Sequence, residues 1–150
     1  MSFARLVASG FGCGYVPHVA GTFASAVAAL VGALLFHIAF ALVPIAALLA
    51  TLAGLWAIRA VQVAGDPHWV VIDEFAGQFL ALCGLAQVTV PGLFVAFLIF
   101  RLLDITKPGP IAWADRQNTP AGIMADDIIA GAIAAGILWA MRSRWPAVFD

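Results

Sequence analysis

Apolar residues fill this chain in three long tracts, and the polar positions collect in the short stretches between them. Residues 6–58 contain no Asp, Glu, Lys or Arg, and neither do residues 75–100 or 128–141. An uncharged apolar run of about 18 residues or more is long enough to cross the ~30 Å hydrocarbon core of a bilayer. The first tract predicts two helices. Its opening, 10–21, is glycine-rich with Pro17 and reads as a loop, after which Thr22 is a candidate N-cap. A helix over about 23–43 is alanine-rich on every side, as expected inside a bilayer. Pro44 then makes the turn, a second helix over about 45–63 returns, and Gly65-Asp66-Pro67 ends it.

The second tract opens with Asp73-Glu74, two acids suited to the positive end of a helix dipole. Pro91-Gly92, preceded by Gln87 and Thr89, marks a turn in its middle. A hairpin of two short helices, 74–86 and 92–106, is therefore preferred over one kinked span. Each is about 20 Å long at ~1.5 Å per residue, too short to cross alone, so the pair is expected to be tilted or re-entrant. Pro108 and Pro110 stop the second, a loop follows, and a last helix over about 123–142 starts near Asp126-Asp127 and ends at Arg142 and Arg144.

These elements predict an all-α fold: one domain, 1–150, built as a compact membrane-embedded bundle of about five helices. The hairpin returns put Arg5, Arg59, Arg101, Lys107 and Arg116 on one face, with every acid except Asp150, and leave Arg142 and Arg144 on the other. Five against two points the acid-bearing face to the cytoplasm by the positive-inside rule. A single span over 75–100 would instead separate the two acid clusters. Small residues spaced like Gly131 and Ala135 permit close helix packing, within one chain or in a homo-oligomer.

Composition narrows the function. The chain has 150 residues, 64% of them hydrophobic and only 10% charged. That excludes intrinsic disorder, a basic nucleic-acid-binding surface and a disulfide-stapled secreted domain. Cys13 and Cys83 form no CxxC pair. His37 reads as a packed or interfacial residue. His18 and His68 fall in loops beside the polar stretches, within reach of a phosphate but equally explained as loop residues.

The fifteen charges are then too few for a soluble surface, and their clustering carries the chemistry. Asp73-Glu74 and Asp126-Asp127 are adjacent pairs near helix starts. Arg101, Asp104 and Lys107 fall at i, i+3 and i+6 along one helical face, and Asp115-Arg116 closes the set. Mg²⁺ takes oxygen ligands from carboxylates and substrate phosphates, while guanidinium and ammonium groups suit phosphate oxygens. Any one acid here is explained as well by capping or an ion pair. As a set beside apolar hairpins they point to function, since ionisable groups at a membrane are costly. The pattern suits metal-assisted chemistry on a phosphorylated lipid; the alternative is a small cation carrier or channel subunit.

Three stretches, Asp73-Glu74-Phe75-Ala76-Gly77, Phe100-Arg101-Leu102-Leu103-Asp104-Ile105-Thr106-Lys107-Pro108 and Gly122-Ile123-Met124-Ala125-Asp126-Asp127-Ile128-Ile129-Ala130-Gly131, resemble signatures of the phosphatidylglycerophosphatase A family. The segment from Gly10 through Pro17 to Gly21-Thr22 is similar to that family's N-terminal motif, although Ala20 and Ala24 stand where the family commonly has proline and glycine. The resemblance implies a Mg²⁺-dependent, multi-pass phosphatase of the bacterial inner membrane acting on phosphatidylglycerophosphate. It implies Asp73, Glu74, Asp104, Asp126 and Asp127 as metal-binding and catalytic acids, with Asp115 as a further acid. It also implies Arg101 and Lys107 as phosphate ligands. Independently of the resemblance, the amides at the start of the first helix, near Thr22, offer an anion site for the same phosphate. No Asp-x-Asp-x-Thr run is present, which favours direct hydrolysis over an aspartyl-phosphate.

Overall fold

The computed structural model describes residues 1–62 and 65–149, and the described residues are helical without strands. The elements are α1 (Phe3–Ala8), a 3₁₀ turn at Cys13–Tyr15, α2 (Ala20–Ile38), α3 (Leu42–Val61), α4 (Ile72–Leu82), α5 (Val90–Thr106), α6 (Pro110–Asp115), α7 (Pro120–Arg144) and α8 (Pro146–Phe149). Five of these have eleven residues or more, the number anticipated from the apolar tracts. Three, α2, α3 and α7, are long and apolar enough to cross a membrane. The second expected helix was drawn to Val63, and Asp150 was placed on the far face; both residues lie outside those described.

The tract 75–100 is a hairpin. α4 ends at Leu82 and α5 starts at Val90, so the start of α4 and the end of α5 lie at the same end of the bundle. The turn signals sit slightly differently from the sequence reading. Pro91 and Gly92 belong to the first turn of α5, where a missing N–H costs nothing, and Thr89 caps it by accepting from the Gly92 amide at 3.1 Å. Thr119 and Pro120 repeat this at α7, with a 3.0 Å bond from the Gly122 amide. Pro44 likewise lies in the first turn of α3, and the chain reverses just before it, around Ala39–Ala41.

α4 is the centre of the bundle and packs against α2, α3, α5 and α7. Its contact with α7 is backbone to backbone. A Cβ on Gly131 would collide with the Gly77 carbonyl, and one on Gly84 would collide with the backbone of Ala135. The small-residue face of α7 is therefore used within the chain, which lets two helices carrying acids approach closely. Outward-facing side chains such as Leu30, Leu34, Leu48, Leu52 and Phe94 are exposed and apolar, as a lipid-facing surface requires.

Candidate active site

Each acid is placed by a specific local device. α1 holds the start of α4: the Val71 amide donates to the Ala8 carbonyl at 2.9 Å, fixing the residues just before Asp73. Asp73 and Glu74 then occupy the first turn of α4, and Asp73 Oδ1 accepts from the Glu74 amide at 3.1 Å. Asp126 and Asp127 are not in the first turn of their helix, because α7 begins six residues before Asp126, at Pro120. Their burial comes from packing rather than from a helix terminus, with the Asp127 carbonyl lying against Gly77.

The result is a compact acidic nest. Carboxylate oxygens of Asp73, Glu74 and Asp127 lie within 4.8 Å of one another. Asp73, Asp126 and Asp127 are almost fully buried. Glu74 Oε2 and Asp127 Oδ1 have no hydrogen-bond partner. Three like charges so close in a low-dielectric setting repel strongly, and oxygens left open between them suit a hard divalent cation. The donor set therefore fits a divalent metal ion.

Basic groups flank the nest. Arg101 pairs with Asp104 one turn along α5, and its Nη2 donates to Thr22 Oγ1 at 3.2 Å. Thr22 is thus a partner of Arg101 and not a helix cap, since α2 starts earlier, after Val19. Gly21 explains the close approach of α2: a Cβ there would overlap Glu74 Oε1 and reach 3.4 Å from both terminal nitrogens of Arg101. Lys107 ends α5 in the left-handed region, with φ +45°. Its Nζ donates to Asp115 at 2.6 Å and to Asp126 at 2.5 Å. Burial alone would lower the Lys107 pKa, but these two bonds and their charges carry it above the ordinary lysine value.

A cavity of about 970 Å³ opens onto these groups. It is lined by Asp73, Glu74, Asp104, Asp126 and Asp127, by Arg101 and Lys107, and by the segment from Gly14 to Thr22. All the expected site residues meet there except Asp115, which lies behind Lys107 and does not line the cavity. Asp66, His18 and His68 also line it, so both loop histidines do stand at the site. In the sequence Asp66 stands out only as part of the Gly65-Asp66-Pro67 helix break. Partial enclosure by the cavity wall first, and the Asp126 charge second, push its pKa up to about 6, against the opposing pull of Lys107. Gln78, fully buried with both side-chain polar atoms unpartnered, carried no sequence signal and was missed.

Comparisons with known proteins place the chain among its relatives. The family model for phosphatidylglycerophosphatase A matches residues 6–142. The chain is similar to phosphatidylglycerophosphatase A of Escherichia coli K12, 36% identical over 95% of this chain and 85% of the relative. It is 30% identical to the Haemophilus influenzae protein of the same name, over 92% of this chain and 88% of that one. A putative phosphatidylinositol-3-phosphatase of Bacteroides thetaiotaomicron is 34% identical over 93% of this chain and 92% of its own length. No solved structure matches the chain.

Proposed function

The chain belongs to the phosphatidylglycerophosphatase A family, and from that membership we propose how its acidic nest and basic flank carry out the family's reaction. The activity is that of a lipid phosphomonoester phosphatase, converting phosphatidylglycerophosphate to phosphatidylglycerol and inorganic phosphate. The observation that carries the mechanism is the triad of Asp73, Glu74 and Asp127, with open carboxylate oxygens, facing a cavity that Arg101 and Lys107 also line.

Asp73, Glu74 and Asp127 would hold Mg²⁺, with Asp104 and Asp126 completing the surrounding charge. When bound, the cation polarises the phosphoryl oxygens and lowers the pKa of a coordinated water. Arg101 binds the phosphomonoester through guanidinium nitrogens oriented by Asp104 and Thr22, and so neutralises charge developing on the equatorial oxygens. Lys107 supplies a second positive charge in the same cavity, held in place by Asp115 and Asp126. The free amides at the start of α2, beside Thr22, add donors for the same phosphate. Water oxygen attacks phosphorus as the bond to the glycerol oxygen breaks, and the proton that the water gives up ends on the departing glycerol oxygen. Val19 and Ile105, both exposed and apolar, line the same cavity, so the lipid's hydrocarbon has a path beside its headgroup.

The basic residues support a cytoplasmic site in a bacterial inner membrane. Arg101, Lys107 and Arg116 lie at the site's end of the bundle, and Arg142 and Arg144 at the opposite end of α7. Among the described residues the acids gather at one end of the bundle, which does not support a permeation path.

The test is phosphate release from phosphatidylglycerophosphate by the purified chain in detergent micelles, with phosphatidylinositol 3-phosphate in parallel. Release with Mg²⁺, its loss in EDTA and a fall of about 10²–10³-fold in Asp127→Asn are expected. Release that survives both EDTA and the substitution overturns the metal-assisted mechanism. Faster turnover of phosphatidylinositol 3-phosphate would assign the chain the specificity named for its Bacteroides relative.

A further inference from the structure

Gln78 lies four residues beyond Glu74 on α4, one turn deeper in the bundle. Its side chain is fully buried, and neither Oε1 nor Nε2 has a hydrogen-bond partner. A carboxamide in such a place carries an unrelieved desolvation cost, whereas methionine or leucine would fill the same volume without it. Packing therefore gives no reason for glutamine here. Ser25 on α2, also fully buried, behaves in the ordinary way, since its hydroxyl is bonded to the Gly21 carbonyl at 2.8 Å.

Other buried atoms of the site are also unpartnered. Glu74 Oε2 is buried and unbonded, and so is Arg101 Nε. Glu74 and Arg101 meet at Gly21, where an added Cβ would touch both side chains. Residues four apart on a helix share a face, with Cβ atoms about 5–6 Å apart, so a glutamine can reach a glutamate one turn away by side-chain rotation alone. Glutamine offers both a donor and an acceptor, and a carboxylate that ligates a metal is itself normally fixed by a hydrogen bond from behind.

We propose that Gln78 is a positioning residue for Glu74: when Glu74 turns toward Asp73 and Asp127 to hold a divalent cation, Gln78 Nε2, unbonded before that, donates to Oε2 of Glu74 and fixes the rotation of the carboxylate, leaving the carboxylate's remaining lone pairs to the cation. The inference rests on the metal-binding reading of the acid triad. It adds a residue that touches neither metal nor substrate and acts only through Glu74. Oε1 of the same carboxamide remains free to accept from a buried water or from Arg101 Nε, which would relieve a further orphan atom in the same step.

The experiment measures Mn²⁺ binding to the full chain in detergent, without substrate, for wild type, Gln78→Met and Gln78→Leu, alongside thermal melting of each. Without metal, the apolar variants are expected to melt at the wild-type temperature or above, because each removes an amide that stays unsatisfied until Glu74 turns to a cation. Their Mn²⁺ affinity is expected to fall about 10–100-fold. Phosphate release should fall in proportion at limiting Mn²⁺ and recover as Mn²⁺ is raised. Wild-type affinity in either apolar variant, with wild type itself binding Mn²⁺, overturns the role of Gln78 alone. Failure of the wild-type chain to bind Mn²⁺ overturns the metal reading and this inference together. Failure of both apolar variants to fold also overturns it, since the carboxamide would then be bonded within the fold.

Discussion

Lys107 at the end of α5 reaches Asp126 on α7, with Nζ 2.5 Å from Oδ2, and the same ammonium holds Asp115 at 2.6 Å. One side chain thus ties α5, α6 and α7 together at the mouth of the cavity. Asp126 is only 6% exposed, so its charge depends on that partner. Replacing Lys107 by Met leaves a buried carboxylate unpaired and is expected to cost about 2–3 kcal/mol. Denaturant titration in mixed micelles should show Lys107→Met/Asp126→Asn to be more stable than Lys107→Met alone, with a coupling energy of about 1 kcal/mol or more. Additive losses would mean that the pair is not coupled. Phosphate release should fall in both the single and the double variant, because a phosphate ligand is lost in each.

Gly21 sets how closely α2 approaches the acids. Alanine there would push against Glu74 Oε1 and crowd Arg101, so Gly21→Ala is expected to lower kcat about 10²-fold through displacement of the metal-holding and phosphate-binding groups. The helix itself should not suffer, since alanine has the higher helix propensity. Activity and circular dichroism measured on the same sample separate the two effects. Unchanged turnover would show that the α2–α4 contact does not position the site.

Asp66 gives the apo protein a pH dependence with a definite sign. Its pKa is raised to about 6 in the folded chain, so the folded state binds the proton more tightly than the unfolded chain does. Its stabilising contribution is complete below about pH 4, the ordinary range of an aspartate, and is lost as pH rises through about 6. In EDTA, wild type should therefore lose melting temperature relative to Asp66→Asn between pH 4 and 7. Saturating Mg²⁺ should shrink that difference by compensating the charge. A difference that is flat with pH, or that grows in wild type's favour, contradicts the shift.

Much of this arrangement was legible in the sequence. Pro91-Gly92 together with charge-free flanks identified the hairpin, and the hairpin by itself predicted that Asp73-Glu74 and Asp126-Asp127 meet. The misplacements share one cause. Proline, and threonine three residues before a first-turn glycine, signal helix starts as readily as turns, and at Pro44, Pro91 and Pro120 the helix begins sooner than a turn reading allows. What sequence could not give was pairing at a distance. That Arg101 would bond Thr22, 79 positions away, depends on the depth at which α2 docks, and Gly21 reveals that only once α4 and α5 are in place. Gln78 was invisible for a similar reason: a glutamine in an apolar helix is unremarkable until its burial and lack of partners are known.

The α4–α7 crossing offers a test with its own control, because α7 carries glycines in two different settings. A Cβ at Gly131 would strike the Gly77 carbonyl, whereas one at Gly136 would meet nothing within 4 Å. Gly131→Ala must separate α4 from α7, at a cost of about 1–3 kcal/mol. It should also move Asp127 away from Asp73 and Glu74, which α4 carries, so Mn²⁺ affinity should fall with stability. Gly136→Ala adds helix propensity in open space and is expected to stabilise the chain by about 0.5–1 kcal/mol while leaving Mn²⁺ binding and phosphate release unchanged. Melting curves and Mn²⁺ titrations of the two variants side by side make the comparison. Equal tolerance of alanine at both positions would mean that α4 and α7 do not cross at Gly77 and Gly131, and the acid triad built on that crossing would have to be redrawn.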